Sequence, residues 1–298
     1  MRYPAAATIV ALMRTPTPTL TTADLGEALL DCGSADLLWD GHVVGAPGPD
    51  RDAAARDVHL WQSRGWRTLT VLDTVYPDAI RAARRPPALL MTDGQLVADE
   101  CSVAIVGSRR ASPAGLAFAV SVARALVDRD VTVVSGLAAG IDTAAMTAAT
   151  ESGGRVVAVI GTGLGHMYPP ANAELREQIV QGGGVVLSQF LPGFRGAAWS
   201  FPARNKVISA YAEASVIVEA SELSGTRHVA AEAVATGRRL LLHRSIADGT
   251  TWGRAMVGHP AVFVVSTAAD AIEALERIAA ADGSMQGRMA WAVANTTW

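Results

Sequence analysis

Lysine is almost missing from this chain. Among 25 basic residues only Lys206 is a lysine, so nearly all positive charge is arginine. A GC-rich coding sequence explains that bias before any appeal to guanidinium chemistry. Acidic residues number 28 and the formal net charge is −3, so there is no global basic field. Any nucleic-acid contact must come from a local patch. Cysteine is equally scarce. Cys32 and Cys101 stand far apart, with no CxxC spacing and no Cys/His cluster. That excludes a disulfide framework and a zinc site and fits a reducing compartment. No metal and no cofactor is therefore expected. Long apolar runs are also lacking. Nothing approaches the roughly 20 uncharged apolar residues of a membrane helix. Arg14 and several Pro and Thr residues interrupt the start of the chain, so it does not read as a leader. The expectation is a cytoplasmic protein with no membrane partner.

Alanine and glycine are plentiful, and 50% of the residues are apolar. A length of 298 residues suffices for one large or two modest domains with a full core. Residues 1–62 read as a small helical domain. A helix is expected after the Thr21–Asp24 cap region, a second near Ser34–Trp39 and a third over Arg51–Ser63 with Trp61 on its apolar side. Gly45–Pro49 reads as a turn or linker between them. From Trp66 the pattern changes. Thr68–Leu72 and Ala88–Met91 read as strands around a helical segment from Tyr76 to Arg84. Short apolar strands then alternate with amphipathic segments. Strands are expected at Val103–Val106, Val131–Val134, Val156–Ile160, Val185–Leu187, Ser215–Val218, Arg239–Leu242 and Val262–Val265. Helices are expected at 113–129, 139–152, 171–181, 204–212, 226–236 and 268–281. This alternation defines an α/β fold, a Rossmann-like and mainly parallel sheet with helices on both faces, over residues 63–282. Residues 283–298 carry too little pattern to assign.

Ligands of such sheets bind beyond the carboxyl ends of strands, where four segments of this chain fall. Gly107-Ser108-Arg109-Arg110 follows a strand. Its glycine permits close backbone approach, its serine and N–H groups suit phosphate oxygens, and Arg109 forks onto them. A tight turn is the plain alternative. Ser135-Gly136 and Gly140 bracket a second strand-to-helix turn, with Asp142 placed to cap a helix, bond a ribose hydroxyl or orient a neighbour. Neither turn is a Walker A or a dinucleotide fingerprint. Arg204-Asn205-Lys206 combines a bidentate donor, an amide and a point charge, just after Trp199 and Phe201. Aromatics interleaved with cations suit single-stranded nucleic acid. A helix start with one exposed charge and a core Phe is the alternative. Ser224-Gly225-Thr226-Arg227 opens a helix and offers a further anion seat. His228 as an acid/base, and Glu219 with Glu232 as a hydrolytic pair, lack partners at any telling spacing. No catalytic residue is expected.

In this order the segments resemble the DNA-processing protein A (DprA/Smf) family, a member of the wider group that includes the Lonely Guy nucleotide hydrolases. The likeness rests on Val103–Arg109, Ser135–Asp142, Gly161 with Tyr168-Pro169, Phe201–Ile208 and Val218–Gly225, and runs from about Tyr76 to Val265. The resemblance implies single-stranded DNA bound at a positive pocket of a homodimer. It also implies delivery of that DNA to a RecA-type recombinase in transformation or recombination, without catalysis. Gly107, Ser108 and Arg109 would line the pocket, and Ser135, Gly136, Gly140 and Asp142 would shape its floor. Arg204, Asn205 and Lys206 would contact phosphate. The chain departs from the family pattern at Ala139 (usually Arg), Met146 (usually His), Gln189 (usually Glu), Thr226–Ala230 and His243-Arg244. Arg110 and Arg227 are the candidate replacements for the missing charge. These departures keep open a nucleotide sensor or nucleotide-processing enzyme that uses the same pocket, and a scaffold that binds neither ligand.

Overall fold

The computed structural model describes residues 3–15, 19–42, 50–99 and 101–281. The Gly45–Pro49 linker assignment and the 283–298 tail lie outside these residues. Four helices come first: α1 (Ala5–Arg14), α2 (Leu25–Cys32), α3 (Ala35–His42) and α4 (Arg51–Ser63). Asp50 caps α4 by accepting from the Ala53 N–H at 2.8 Å, and Trp61 is buried as its spacing predicts. The helices pack on one another and on β1 (Arg67–Thr70). The α2 backbone approaches the chain at Pro86 so closely that a Cβ on Gly26 would lie 1.8 Å from the Pro86 carbonyl oxygen. A Glu27 oxygen accepts from the Arg85 N–H there, and Arg85 pairs with Asp24 at 3.0 Å.

The sheet comprises β1, β2 (Leu89–Gly94), β3 (Ser102–Val106), β4 (Thr132–Ser135), β5 (Val156–Val159), β6 (Val185–Ser188), β7 (Ala214–Ile217), β8 (Arg239–His243) and β9 (Val262–Val265). Its order is β1-β2-β6-β5-β4-β3-β7-β8-β9. β3 to β9 pair in parallel along that order, whereas β2 pairs antiparallel with both β1 and β6. β3 to β7 are buried at every position, as strands covered on both faces must be. The intervening helices are α5 (Asp78–Arg81), α6 (Pro113–Val127), α7 (Ile141–Glu151), α8 (Ala173–Gln181), α9 (Ser200–Tyr211), α10 (Thr226–Ala235), α11 (Arg244–Gly249), α12 (Thr251–Met256) and α13 (Ala268–Ala281). In α6, Phe118, Ala119, Val122, Ala123 and Leu126 form one buried face. It packs on the alanine-rich α7, where small side chains let the two backbones come close.

Several elements differ from their sequence-based bounds. α9 begins at Ser200 rather than near Arg204. Pro202 does not stop it, because a first-turn residue has no intrahelical N–H bond to lose. The Ser200 hydroxyl anchors that start. It accepts from the Ala197 N–H at 3.0 Å and donates to the Gly161 carbonyl at 2.7 Å. The segment from Tyr76 to Arg84 is helical only over Asp78–Arg81. α11 and α12 fall where no helix is expected. Each is six residues long, too short for periodicity to show, and each is capped by a single side chain, His243 or Thr250.

Candidate functional site

The chain leaves β3 for β4 on one side and arrives at β7 on the other, so the strand order reverses between β3 and β7. A crevice must open at the carboxyl ends there. A cleft of about 220 Å³ occupies that place. Val106, Gly107, Ser108 and Arg109 line it after β3, Ala138 and Asp142 around the β4–α7 turn, and Ser221, Ser224, Gly225, Thr226 and Val229 after β7. The first turns of α9 supply Phe201, Pro202, Arg204 and Asn205.

Arg204 is the internal brace of this cleft. It is only 4% exposed. Its Nη1 donates to the Gly136 carbonyl and, at 2.5 Å, to the Val159 carbonyl, while Nε donates to the Asn205 Oδ1 at 3.0 Å. It therefore ties the ends of β4 and β5 to α9. Burial pulls its pKa down to about 10, against the pull of Asp142, so it stays charged at neutral pH. Asp142 is also 4% exposed. Its carboxylate accepts from the Gly136 and Ala138 N–H groups at 3.2 and 3.4 Å. Burial raises its pKa, while Arg204 and the two N–H groups oppose that rise. Of the three roles open to Asp142, its bonds match the orienting one, and it makes no side-chain cap on α7. Gly140 has φ +80°, and a Cβ there would lie 2.2 Å from the Ser108 carbonyl oxygen. The two glycine turns thus press directly against each other.

Arg109 behaves in the opposite way. It is exposed and makes no side-chain hydrogen bond or ion pair among the described residues. Its guanidinium lies over the Phe201 ring at 4.8 Å and the Tyr168 ring at 5.8 Å. The two rings are 5.5 Å apart, and Tyr168 is 51% exposed. A charged fork resting on aromatic faces keeps its donors free for an anion.

The expected site residues therefore divide. Gly107, Ser108, Arg109, Asp142, Arg204, Asn205, Ser224, Gly225 and Thr226 line the cleft. Ser135, Gly136 and Gly140 stand behind it. The Ser135 hydroxyl is fully buried and donates to the Ile105 carbonyl at 2.6 Å. Arg110, Lys206 and Arg227 are exposed outside the lining. The sequence-based list omits Phe201, Pro202, Tyr168, Ala138, Ser221 and Val229. Of these, Phe201 and Tyr168 carried a signal, because both belong to the segments that define the resemblance. Arg204 lines the cleft and also braces its wall, with Nη1 turned to the Gly136 and Val159 carbonyls and Nε to Asn205. The hydrolytic pair finds no support. Glu219 accepts from the Ser112 N–H at 3.0 Å and from the Ser112 hydroxyl at 2.6 Å, and neither Glu219 nor Glu232 lines the cleft. No grouping of metal-ligating side chains occurs among the described residues. No helix among them is long and apolar enough to cross a membrane.

A doubly wound, mainly parallel sheet with an arginine-bearing cleft at its switch point defines a Rossmann-like α/β protein. The family model for DNA recombination-mediator protein A matches residues 67–276, and the chain belongs to that family. Among curated relatives, the DNA processing protein DprA of Streptococcus pneumoniae is 36% identical over 200 residues, 66% of this chain and 70% of the relative. The putative DprA of Mycobacterium tuberculosis is 39% identical over 201 residues, 63% of this chain and 51% of the relative. The chain thus spans about half the length of the mycobacterial relative. Among solved structures, the S. pneumoniae DprA structure superposes with TM-score 0.72 and 28% identity, covering 92% of this chain and 98% of that one. That of Helicobacter pylori DprA, described for its single-stranded DNA binding mode, gives TM-score 0.63 at 24% identity, with 72% and 96% covered. It shares the fold.

Proposed function

We propose that this chain binds single-stranded DNA in the switch-point cleft as a DNA-processing protein, without breaking bonds. Arg109 carries the reading: it is an unpaired guanidinium held over Phe201 and Tyr168 at the cleft mouth. Cation and aromatic together match a strand whose phosphates pair while its bases stack. Family membership and the binding mode described for the H. pylori relative support the same ligand. Family resemblance also supports a homodimer and hand-over of the strand to a RecA-type recombinase in the cytoplasm. Sedimentation of the pure protein and co-sedimentation with recombinase on DNA test these two points.

The test of the ligand is fluorescence anisotropy with an oligo-dT of about 20 nucleotides across a salt series. The expected result is binding that weakens with salt as counterions are released. Arg109→Ala should lower affinity about 10- to 150-fold, the loss of one charge-assisted contact of about 1.5–3 kcal/mol, without lowering the melting temperature. No binding at low salt overturns the reading. A mononucleotide that raises the melting temperature would then favour a nucleotide sensor.

A further inference from the structure

The loop from β6 to α9 holds a second aromatic feature beside the cleft. Phe190 and Phe194 lie with ring centroids 4.8 Å apart, and Trp199 packs on them at 5.7 and 5.5 Å. Trp199 nevertheless remains 61% exposed. A large aromatic with one side fixed by other rings and the other in water is a rigid, flat platform, and its rotamer entropy is already spent. The platform adjoins the cleft through the chain itself. Trp199 is two residues before Phe201, which bears Arg109, and a Cβ placed on Gly196 of the same loop would lie 3.9 Å from the Phe201 ring. Arg195 is exposed in this loop, with no side-chain partner among the described residues.

We propose that Trp199 is a second base-stacking position, which takes the nucleotide next to the one held at Arg109 and leads the strand out of the cleft over the β6–α9 loop. The proposal rests on the single-stranded DNA reading above and adds a direction to it. Continuity with the cleft and the free cation at Arg195 favour a nucleic-acid base over an apolar protein segment as the occupant. A tryptophan needed only for the core would have been covered. Here Phe190 supplies the buried part of the cluster.

The test compares dT12 with a base-free deoxyribose-phosphate strand of the same length, against wild type, Trp199→Ala and Trp199→Phe. Stacking predicts that Trp199→Ala weakens dT12 binding on the order of ten-fold, the size typical of one lost base–aromatic contact. The penalty should shrink to near nothing on the base-free strand, and Trp199→Phe should recover most of it. Equal binding of dT12 by wild type and Trp199→Ala overturns the proposal and leaves the cleft reading intact. An equal penalty on both strands also overturns it, because the tryptophan would then act on the backbone or on the fold. Failure of wild type to bind either strand overturns the proposal together with the reading beneath it.

Discussion

The guanidinium of Arg204 occupies the space that a side chain at Gly136 would need. A Cβ at Gly136 would lie 2.2 Å from Nη1, and that nitrogen is fixed by the Gly136 and Val159 carbonyls. The brace and the turn are therefore one unit. Arg204→Ala would leave two buried carbonyls without donors, at about 1–3 kcal/mol each. It would also remove the stronger of the two cationic influences on the buried Asp142 carboxylate, leaving only that of Arg109. We expect a loss of about 3 kcal/mol or more by urea unfolding. Arg204→Lys should not restore it, because one ammonium cannot reproduce the planar fork. Gly136→Ala should be destabilising for the same reason. An Arg204→Ala variant within about 0.5 kcal/mol of wild type, the usual scatter at surface sites, would show that the brace is dispensable. Because the brace is structural, loss of DNA binding in an Arg204 variant would not identify a ligand contact, whereas the exposed Arg109 would.

Ser112 and Glu219 form a second unit at the same edge. The Ser112 hydroxyl accepts from the Gly115 N–H at 3.0 Å and donates to Glu219 at 2.6 Å. Glu219 places its charge at the start of α6, where the helix dipole favours an anion. Ser112→Ala should cost about 1 kcal/mol, as caps do. Glu219→Ala should cost a similar amount. The two losses should not add, because each removes the same bond. Strict additivity in a double-mutant cycle would separate the cap from the carboxylate.

The strands of the parallel array were legible because a strand buried on both faces is an unbroken apolar run, and Val103–Val106 is one. The glycine turns were legible because close approach leaves only glycine, as at Gly140. Two kinds of feature were hidden. Whether an arginine braces or binds depends on what surrounds it in space. Arg109 and Arg204 look alike in sequence, yet one is exposed and the other is 4% exposed. Likewise, Tyr168 reaches Phe201 from a loop more than thirty residues earlier, a pairing that no local spacing encodes. α9 starts at Ser200, before its sequence-based bound, because Pro202 falls in the first turn, where no intrahelical N–H bond is lost.

Cys101 offers a probe of unfolding. Burial, with Glu213 beside it, pushes its thiol up to about 12. At pH 8 the thiolate, the reactive form, is then a negligible fraction. In a Cys32→Ser background, Cys101 should resist a disulfide reagent under native conditions and react fully in denaturant. Its rate should follow the opening equilibrium as urea is added. Rapid native labelling would mean that the N-terminal end of β3 opens locally.

His243 should make the fold sensitive to mild acid. Its ring meets Phe118 edge-on at 4.7 Å, and its Nδ1 accepts from the Ser245 N–H at 3.3 Å, which caps α11. Burial is the main cause that lowers its pKa below the usual 6.5. The unfolded chain therefore binds more protons than the folded one as pH falls through about 6.5. Linkage then requires stability to fall in that direction, so the contribution is complete above this window and lost below it. Protonation of Nδ1 also removes the acceptor for Ser245. His243→Gln keeps an acceptor near the helix start but cannot titrate. Its melting temperature should decline less than that of wild type between about pH 7 and 5.5. Parallel declines for the two proteins would show that His243 carries no charge change on unfolding in this range.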